Sequence, residues 1–117
     1  MKHTVALKQN HEFRRLYNKG KSAVSPYFVI YCRKNHREMS RLGITTGVKL
    51  GNAVKRNRVR RRIRALYRTN EHQIHAGYDI VVVARTRAIY ARYADLEQSF
   101  RKLLKKLELA APREEKA

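Results

Sequence analysis

His3, His11, His36, His72 and His75 are scattered through polar segments. His72 and His75 have no Cys or carboxylate cluster nearby in sequence to complete a zinc site. Glu12 and Glu38 are the only carboxylates in the first 70 residues, and neither stands in a D-x-D or E-x-x-H arrangement suited to a divalent cation. Asp79 falls at the start of a predicted strand. Asp95 and Glu97 fall at a predicted helix N-terminus, where a carboxylate complements the dipole. No P-loop, dinucleotide-type glycine turn or nucleophile elbow is present. The side chains assign no catalytic residue and no metal ligand.

What the chain offers instead is phosphate chemistry. "NAVKRNRVRRRIRALYR", Asn52 to Arg68, holds eight Lys or Arg in seventeen residues and no carboxylate. Projected at about 100° per residue, Val59, Ile63 and Leu66 share a narrow arc with Tyr67 at its edge. Asn57, Arg60, Arg61, Arg64 and Arg68 occupy the opposite side, with Arg58 and Arg62 at one flank and Arg56 at the other. A helix that only needed to be soluble would mix in Glu, because like charges four apart, such as Arg56 with Arg60 and Arg60 with Arg64, each cost about 0.2 to 0.5 kcal/mol. Arg outnumbers Lys seven to one in the stretch, and the guanidinium fork suits bidentate phosphate contacts and stacking on bases.

The whole composition points to the same partner. Lys plus Arg number 28 against 9 Asp plus Glu, a formal net charge of +19, which favours a polyanion. Residues 1–70 carry 19 basic and 2 acidic side chains, residues 71–117 carry 9 and 7. A membrane surface is the weaker candidate: no apolar run approaches the roughly 20 residues of a spanning helix, no signal-peptide core follows the N-terminus, and the basic helix lacks a Trp or Phe anchor. Cys32 is the single cysteine, so no intrachain disulfide forms and the cytoplasm is the expected location.

Several elements must position the basic helix. Asn10 is the expected N-cap of a first helix ending near Lys19, with Phe13, Leu16 and Tyr17 on one side and Gly20 suited to a left-handed C-terminal position. "SAVS" and "YFVIYCR" read as strands, the second apolar on both faces and therefore covered on both. "RLGITTGV" alternates Leu42, Ile44, Thr46 and Val48 against Gly43, Thr45 and Gly47, a strand whose small face allows close approach by backbone or ligand. "YDIVVVAR" is a central strand. Tyr93 to Leu109 is an amphipathic helix carrying Leu96, Phe100, Leu103, Leu104 and Leu107, and residues 110–117, ending in "APREEKA", form a frayed tail. The order α-β-β-β-α-β-α implies one mixed sheet with helices packed on it, a single α/β domain over 1–109.

RNA is favoured over DNA, modestly. No short helix precedes the basic one to complete a helix-turn-helix, and Phe13, Tyr17, Tyr27, Phe28 and Tyr31 would suit stacking on unpaired bases, although each is also a candidate for the core.

"GITTGVKLGNAVKRNRVRRRIRALYR" closely resembles the signature of the bacterial ribonuclease P protein subunit, whose hallmark is the "RNR" of Arg56, Asn57 and Arg58. The likeness extends through "LKQNHEFRRLYNKGKS", "YFVIYCR", "YDIVVVAR" and the closing Leu-rich helix, leaving out the first few residues and 110–117. It implies a two-layer α/β sandwich with a mixed four-stranded sheet, related to folds of ribosomal proteins and translation factors, with a left-handed β-α-β crossover against the usual rule. It also implies binding of the catalytic RNA, one protein per RNA, through Asn52, Lys55, Arg56, Asn57, Arg58, Arg60, Arg61, Arg62, Arg64 and Arg68. The 5′ leader of precursor tRNA would lie on Phe13, Tyr17 and Tyr31, with Lys49 and Arg85 at the edge. Hydrolysis would belong to the RNA with Mg²⁺ held mainly by RNA and substrate, with no DNA and no membrane involved.

The chain departs from the family pattern at Val48, which precedes Lys49 where many relatives have two basic residues, and at Thr86, where a basic residue is common and Arg87 follows. The rival readings are a ribosomal or RNA-chaperone-like binding protein and a protein-only nuclease, the latter opposed by the missing carboxylate cluster.

Overall fold

The computed structural model describes residues 1–110. Its strands are β1 (Thr4–Ala6), β2 (Lys21–Val24), β3 (Phe28–Lys34), β4 (Ser40–Thr45) and β5 (Tyr78–Ala84), and its helices α1 (Asn10–Lys19), α2 (Ala53–Asn70) and α3 (Tyr93–Lys106). They form one mixed sheet in the order β1-β4-β5-β3-β2. β1, β4 and β5 run parallel, and β3 is antiparallel to both β5 and β2.

The sheet has five strands where four were expected. "TVA" is three residues long with only Thr4 buried, so it carries no alternation to read. What holds it is distant: the Glu71 carboxylate accepts the backbone N–H groups of Lys2 and His3 at 2.8 and 3.1 Å, and Thr4 Oγ1 meets the Tyr67 hydroxyl at 3.0 Å. Burial pushes the Tyr67 phenol up to about 12, so it stays protonated and able to donate.

The two-layer expectation also needs correcting, because helices cover both faces. Phe28, Ile30, Ile80 and Val82 point into the main core with Val59, Ile63, Leu66, Leu96 and Phe100 from α2 and α3. The alternate residues Tyr31, Val81 and Val83 meet Leu7, Phe13 and Leu16 beside α1. β5 is buried on both sides, which is why it reads as an unbroken apolar run.

Local boundaries differ where tertiary contacts decide them. Asn10 is the first residue of α1 rather than its cap; the cap position is Gln9, extended and without a side-chain cap bond. Gly20 is extended at φ −80°, not left-handed. Glycine is required there for space: a Cβ would sit 2.7 Å from the Leu16 carbonyl oxygen and 2.9 Å from that of Cys32. Both obstacles are backbone, so Gly20→Ala should cost about 1 to 3 kcal/mol through a forced shift of α1 from β3. Urea unfolding checks this, and a loss under about 0.5 kcal/mol would contradict it.

The β4 alternation stops at Thr45, and Val48, 81% exposed, belongs to a short 3-10 turn before α2. What approaches Gly43 is neither backbone nor a ligand of the chain's surface but its own Phe13 ring, 2.5 Å from where a Cβ would stand. α3 stops at Lys106 although Leu107 and Leu109 are buried. Glu108 turns left-handed at φ 60°; its N–H donates to the Lys105 carbonyl and that of Leu109 to the Leu104 carbonyl, a Schellman closure that keeps both leucines inward after the helix has ended. Ala110, placed in the tail by sequence, bridges to Ile74; residues 111–117 lie outside the described residues.

Candidate RNA interface

α2 begins as its sequence dictates, with Asn52 Oδ1 accepting the Lys55 N–H at 3.0 Å. Val59, Ile63, Leu66 and Tyr67 are all fully buried. This fixes the rotation of the helix and sends Asn52, Lys55, Asn57, Arg58, Arg61, Arg64 and Arg68 into solvent.

Three arginines of the same stretch are half-buried and engaged with the protein. Arg56 donates to the Gly51 carbonyl at 2.7 Å. Arg60 reaches Asn57 Oδ1 at 3.0 Å and Thr46 Oγ1 at 2.6 Å. Arg62 donates to the carbonyls of Ala88 and Ile89, each at 3.0 Å, and to that of Ala91. Burial, and then the neighbouring Arg58 charge, pull its pKa down. Arg62 thus clamps the segment after β5 to α2, a task its place in the charge run did not reveal.

Among the described residues, no basic side chain of α2 is ion-paired, whereas Lys21, Arg41, Arg92 and Arg101 elsewhere each reach a carboxylate. Glu71, just past the end of α2, serves the N-terminal strand instead of Arg68. Its burial would raise its pKa, but bonds from Thr4 and the N–H groups of Lys2 and His3 hold it below the usual carboxylate range.

A second surface lies on the opposite face. Tyr17 and Tyr31 pack edge to face with centroids 4.9 Å apart, and the Tyr17 hydroxyl meets Thr45 Oγ1 at 3.1 Å. Strand register carries the surface outward from Tyr31 beside Val81 to Val29 beside Val83, then to the exposed Val24. The result is a trough with α1 as its wall and half-buried apolar side chains as its floor. Lys49 follows the C-terminal end of β4, and Arg85 follows that of its parallel neighbour β5, so both cations stand beyond one end of the trough. Arg85 also donates to the Ser25 carbonyl at 3.1 Å.

Under α1 is a group that sequence reading missed. The Arg41 guanidinium forms two bonds to Asp79, at 2.8 and 2.7 Å, and a third to Glu12, while Asn35 donates to Asp79 at 2.9 Å. It ties the first turn of α1, next to Phe13, to β4 and β5. The three residues are far apart in the chain; strand parity could have put Arg41 and Asp79 on one face, but only the β4–β5 register makes them neighbours.

Among the described residues, no three His, Cys, Asp or Glu side chains gather as a metal-ligand set, and no helix is long and apolar enough to cross a membrane.

The family model for Ribonuclease P matches residues 1–108. The chain belongs to the ribonuclease P protein family. The match starts at residue 1, so it takes in the β1 segment that sequence reading had left outside. The ribonuclease P protein component of Clostridioides difficile is 42% identical over 108 residues, covering 92% of this chain and 95% of the relative. That of Natranaerobius thermophilus is 38% identical over 109 residues, covering 93% and 95%. Among solved structures, the RNase P protein of Staphylococcus aureus superposes with a TM-score of 0.80 at 34% identity, covering 92% of this chain and 97% of that one. The Thermotoga maritima protein gives 0.78 at 33% identity, covering 86% and 96%. As a ribonuclease P protein, the chain is an RNA-binding component of a ribonucleoprotein endoribonuclease of tRNA processing.

Proposed function

We propose that the outward side of α2 grips the RNA of ribonuclease P while the trough beside α1 holds the single-stranded 5′ leader of precursor tRNA. The observation that carries this reading is the density of exposed charge on one side of α2: Lys55, Arg58, Arg61, Arg64 and Arg68 all stand in solvent, with no carboxylate partner among the described residues. Asn52, Lys55, Asn57, Arg58, Arg61, Arg64 and Arg68 touch RNA directly. Arg56, Arg60 and Arg62 add positive potential while bracing the helix ends and the loops beside it. The left-handed β4-α2-β5 crossover of the family's fold belongs to this reading, as do one protein per RNA and a cytoplasmic setting.

On the other face Phe13, Tyr17 and Tyr31 stack on leader bases, and Lys49 and Arg85 meet leader phosphates. Stacking tolerates any base, as a subunit serving many precursors needs. The protein therefore favours precursor over mature tRNA through what only the precursor has. Hydrolysis stays with the RNA and the Mg²⁺ that RNA and substrate bind; the protein contributes charge screening and grip.

Reconstitution with a bacterial ribonuclease P RNA at low Mg²⁺ and near-physiological salt tests the reading. The protein is expected to restore precursor cleavage, with a benefit that shrinks as the leader is shortened. RNA binding without any gain in cleavage would leave a plain RNA-binding protein and remove the processing role. Tyr31→Leu keeps apolar bulk but loses the stacking plane, so leader-dependent affinity should fall by about tenfold while affinity for mature tRNA holds. Equal losses for both ligands would make Tyr31 a core residue only.

A further inference from the structure

Tyr90 lies between the 3-10 turn Thr86–Ala88 and α3, outside the basic run of α2, and is 70% exposed. An exposed ring on a floppy loop would mean little, but this loop is anchored. The carbonyls of Ala88, Ile89 and Ala91, on either side of Tyr90, are all held by the Arg62 guanidinium, and Ala88 and Ile89 are buried. The backbone is fixed while the ring stands in solvent. Lys55 Nζ lies over that ring, 5.9 Å from its centroid, a cation–π arrangement. Arg58, exposed, follows Lys55 by one turn of α2.

The geometry points to Tyr90 as a stacking platform for one unpaired nucleotide of the ribonuclease P RNA, with Lys55 holding the adjoining phosphate. A flat ring on a pre-ordered backbone next to a cation matches the two parts of a nucleotide, base and phosphate, with little ordering cost left for binding. The occupant is the RNA subunit rather than the leader because the ring sits against the first turns of α2, whose core residues pack on the Ile80 and Val82 face of the sheet, and the trough lies on the Val81 and Val83 face. The inference rests on the proposed role of α2 and extends it to a residue outside the basic run.

Tyr90→Phe, Tyr90→Leu and Tyr90→Ala, each first checked for unchanged thermal unfolding, would be titrated against ribonuclease P RNA alone at several salt concentrations, with Arg64→Ala in parallel. Precursor binding to each holoenzyme would be measured with long and short leaders. The Leu and Ala variants are expected to bind RNA about tenfold more weakly with an unchanged salt slope, since a neutral ring releases no counterions. The Phe variant should stay within about twofold of wild type. A Leu variant that binds like wild type overturns the proposal, and so does a Phe variant as weak as Leu, which would mean a hydroxyl contact. A defect confined to leader-dependent precursor binding overturns it too, by giving the base to the substrate. If Arg64→Ala weakens binding while Tyr90→Leu does not, only the platform falls; if wild-type protein does not bind the RNA, the role of α2 falls with it.

Discussion

Arg41→Met is expected to lower the unfolding free energy by about 3 to 5 kcal/mol, the range for removing one partner of a buried ion pair. The side chains of Arg41, Glu12 and Asp79 are only 16%, 14% and 14% exposed, so water cannot readily replace the guanidinium. Methionine fills much of the volume and isolates the electrostatic loss. The variant should also respond differently to acid. In the wild type, burial would raise the Asp79 pKa, but the bonds from Arg41 and Asn35 hold it below the usual carboxylate range. A depressed folded-state pKa contributes stability above the unfolded value, about 3.9, and that contribution is lost as pH falls through the folded value. In the variant, burial without Arg41 leaves Asp79 costly to ionise, so acid relieves it. The gap between the two proteins should be widest near neutrality and narrow toward pH 4 (approximately the unfolded carboxylate value). Urea titrations across that range check both statements, and a gap that stayed under about 1 kcal/mol throughout would show that the trio is solvated after all.

Arg58→Ala, Arg61→Ala and Arg64→Ala combined should weaken binding to ribonuclease P RNA by about a hundredfold near 0.15 M salt. Each phosphate contact contributes roughly 0.7 to 0.9 to the slope of log affinity against log salt, or about four- to fivefold in affinity at that concentration, and the three lie on separate exposed positions. The slope itself should flatten by about 2 to 3. The fold should be unaffected, because none of the three has a side-chain partner among the described residues. Titration at four or more salt concentrations separates the outcomes: weaker binding with an unchanged slope would point to lost base contacts or distortion rather than phosphate grip.

The contrast between these arginines and Arg62 shows where sequence was informative. The apolar stripe of Val59, Ile63 and Leu66 was legible because helical period converts directly into burial, and it oriented the outward arginines correctly. Arg62 sits in the same run, yet its partners are carbonyls 26 to 29 positions away, and no local pattern encodes them. The central strand was readable from its apolar run, whereas β1 was not, since three residues carry no period and its anchor is a carboxylate 68 and 69 positions on. Gly20 and Gly43 were recognised as special, but for other reasons: propensity suggests a left-handed turn at Gly20, where the demand is for space beside two carbonyl oxygens, and the close approach at Gly43 is made by the Phe13 side chain. Phe13, Tyr17 and Tyr31 were selected as aromatics, and α1 brings Tyr17 onto Tyr31 on one sheet face. Tyr90 was passed over because nothing in its neighbours predicts that its loop is held.

The position of β5 sets the order in which the molecule can be made. β3 and β4 are consecutive in the chain yet do not pair; β5 lies between them. A ribosome has therefore delivered 19 of the 28 basic residues, and the whole of α2, before the strand that joins the two halves of the sheet exists. Until Tyr78–Ala84 emerges, the nascent chain has its charge but no closed core, a high-contact-order topology that cannot be completed piecemeal from the N-terminus. Early on, its encounters with surrounding RNA are those of a flexible polycation, and selectivity by shape begins only when the last strand slots into the centre.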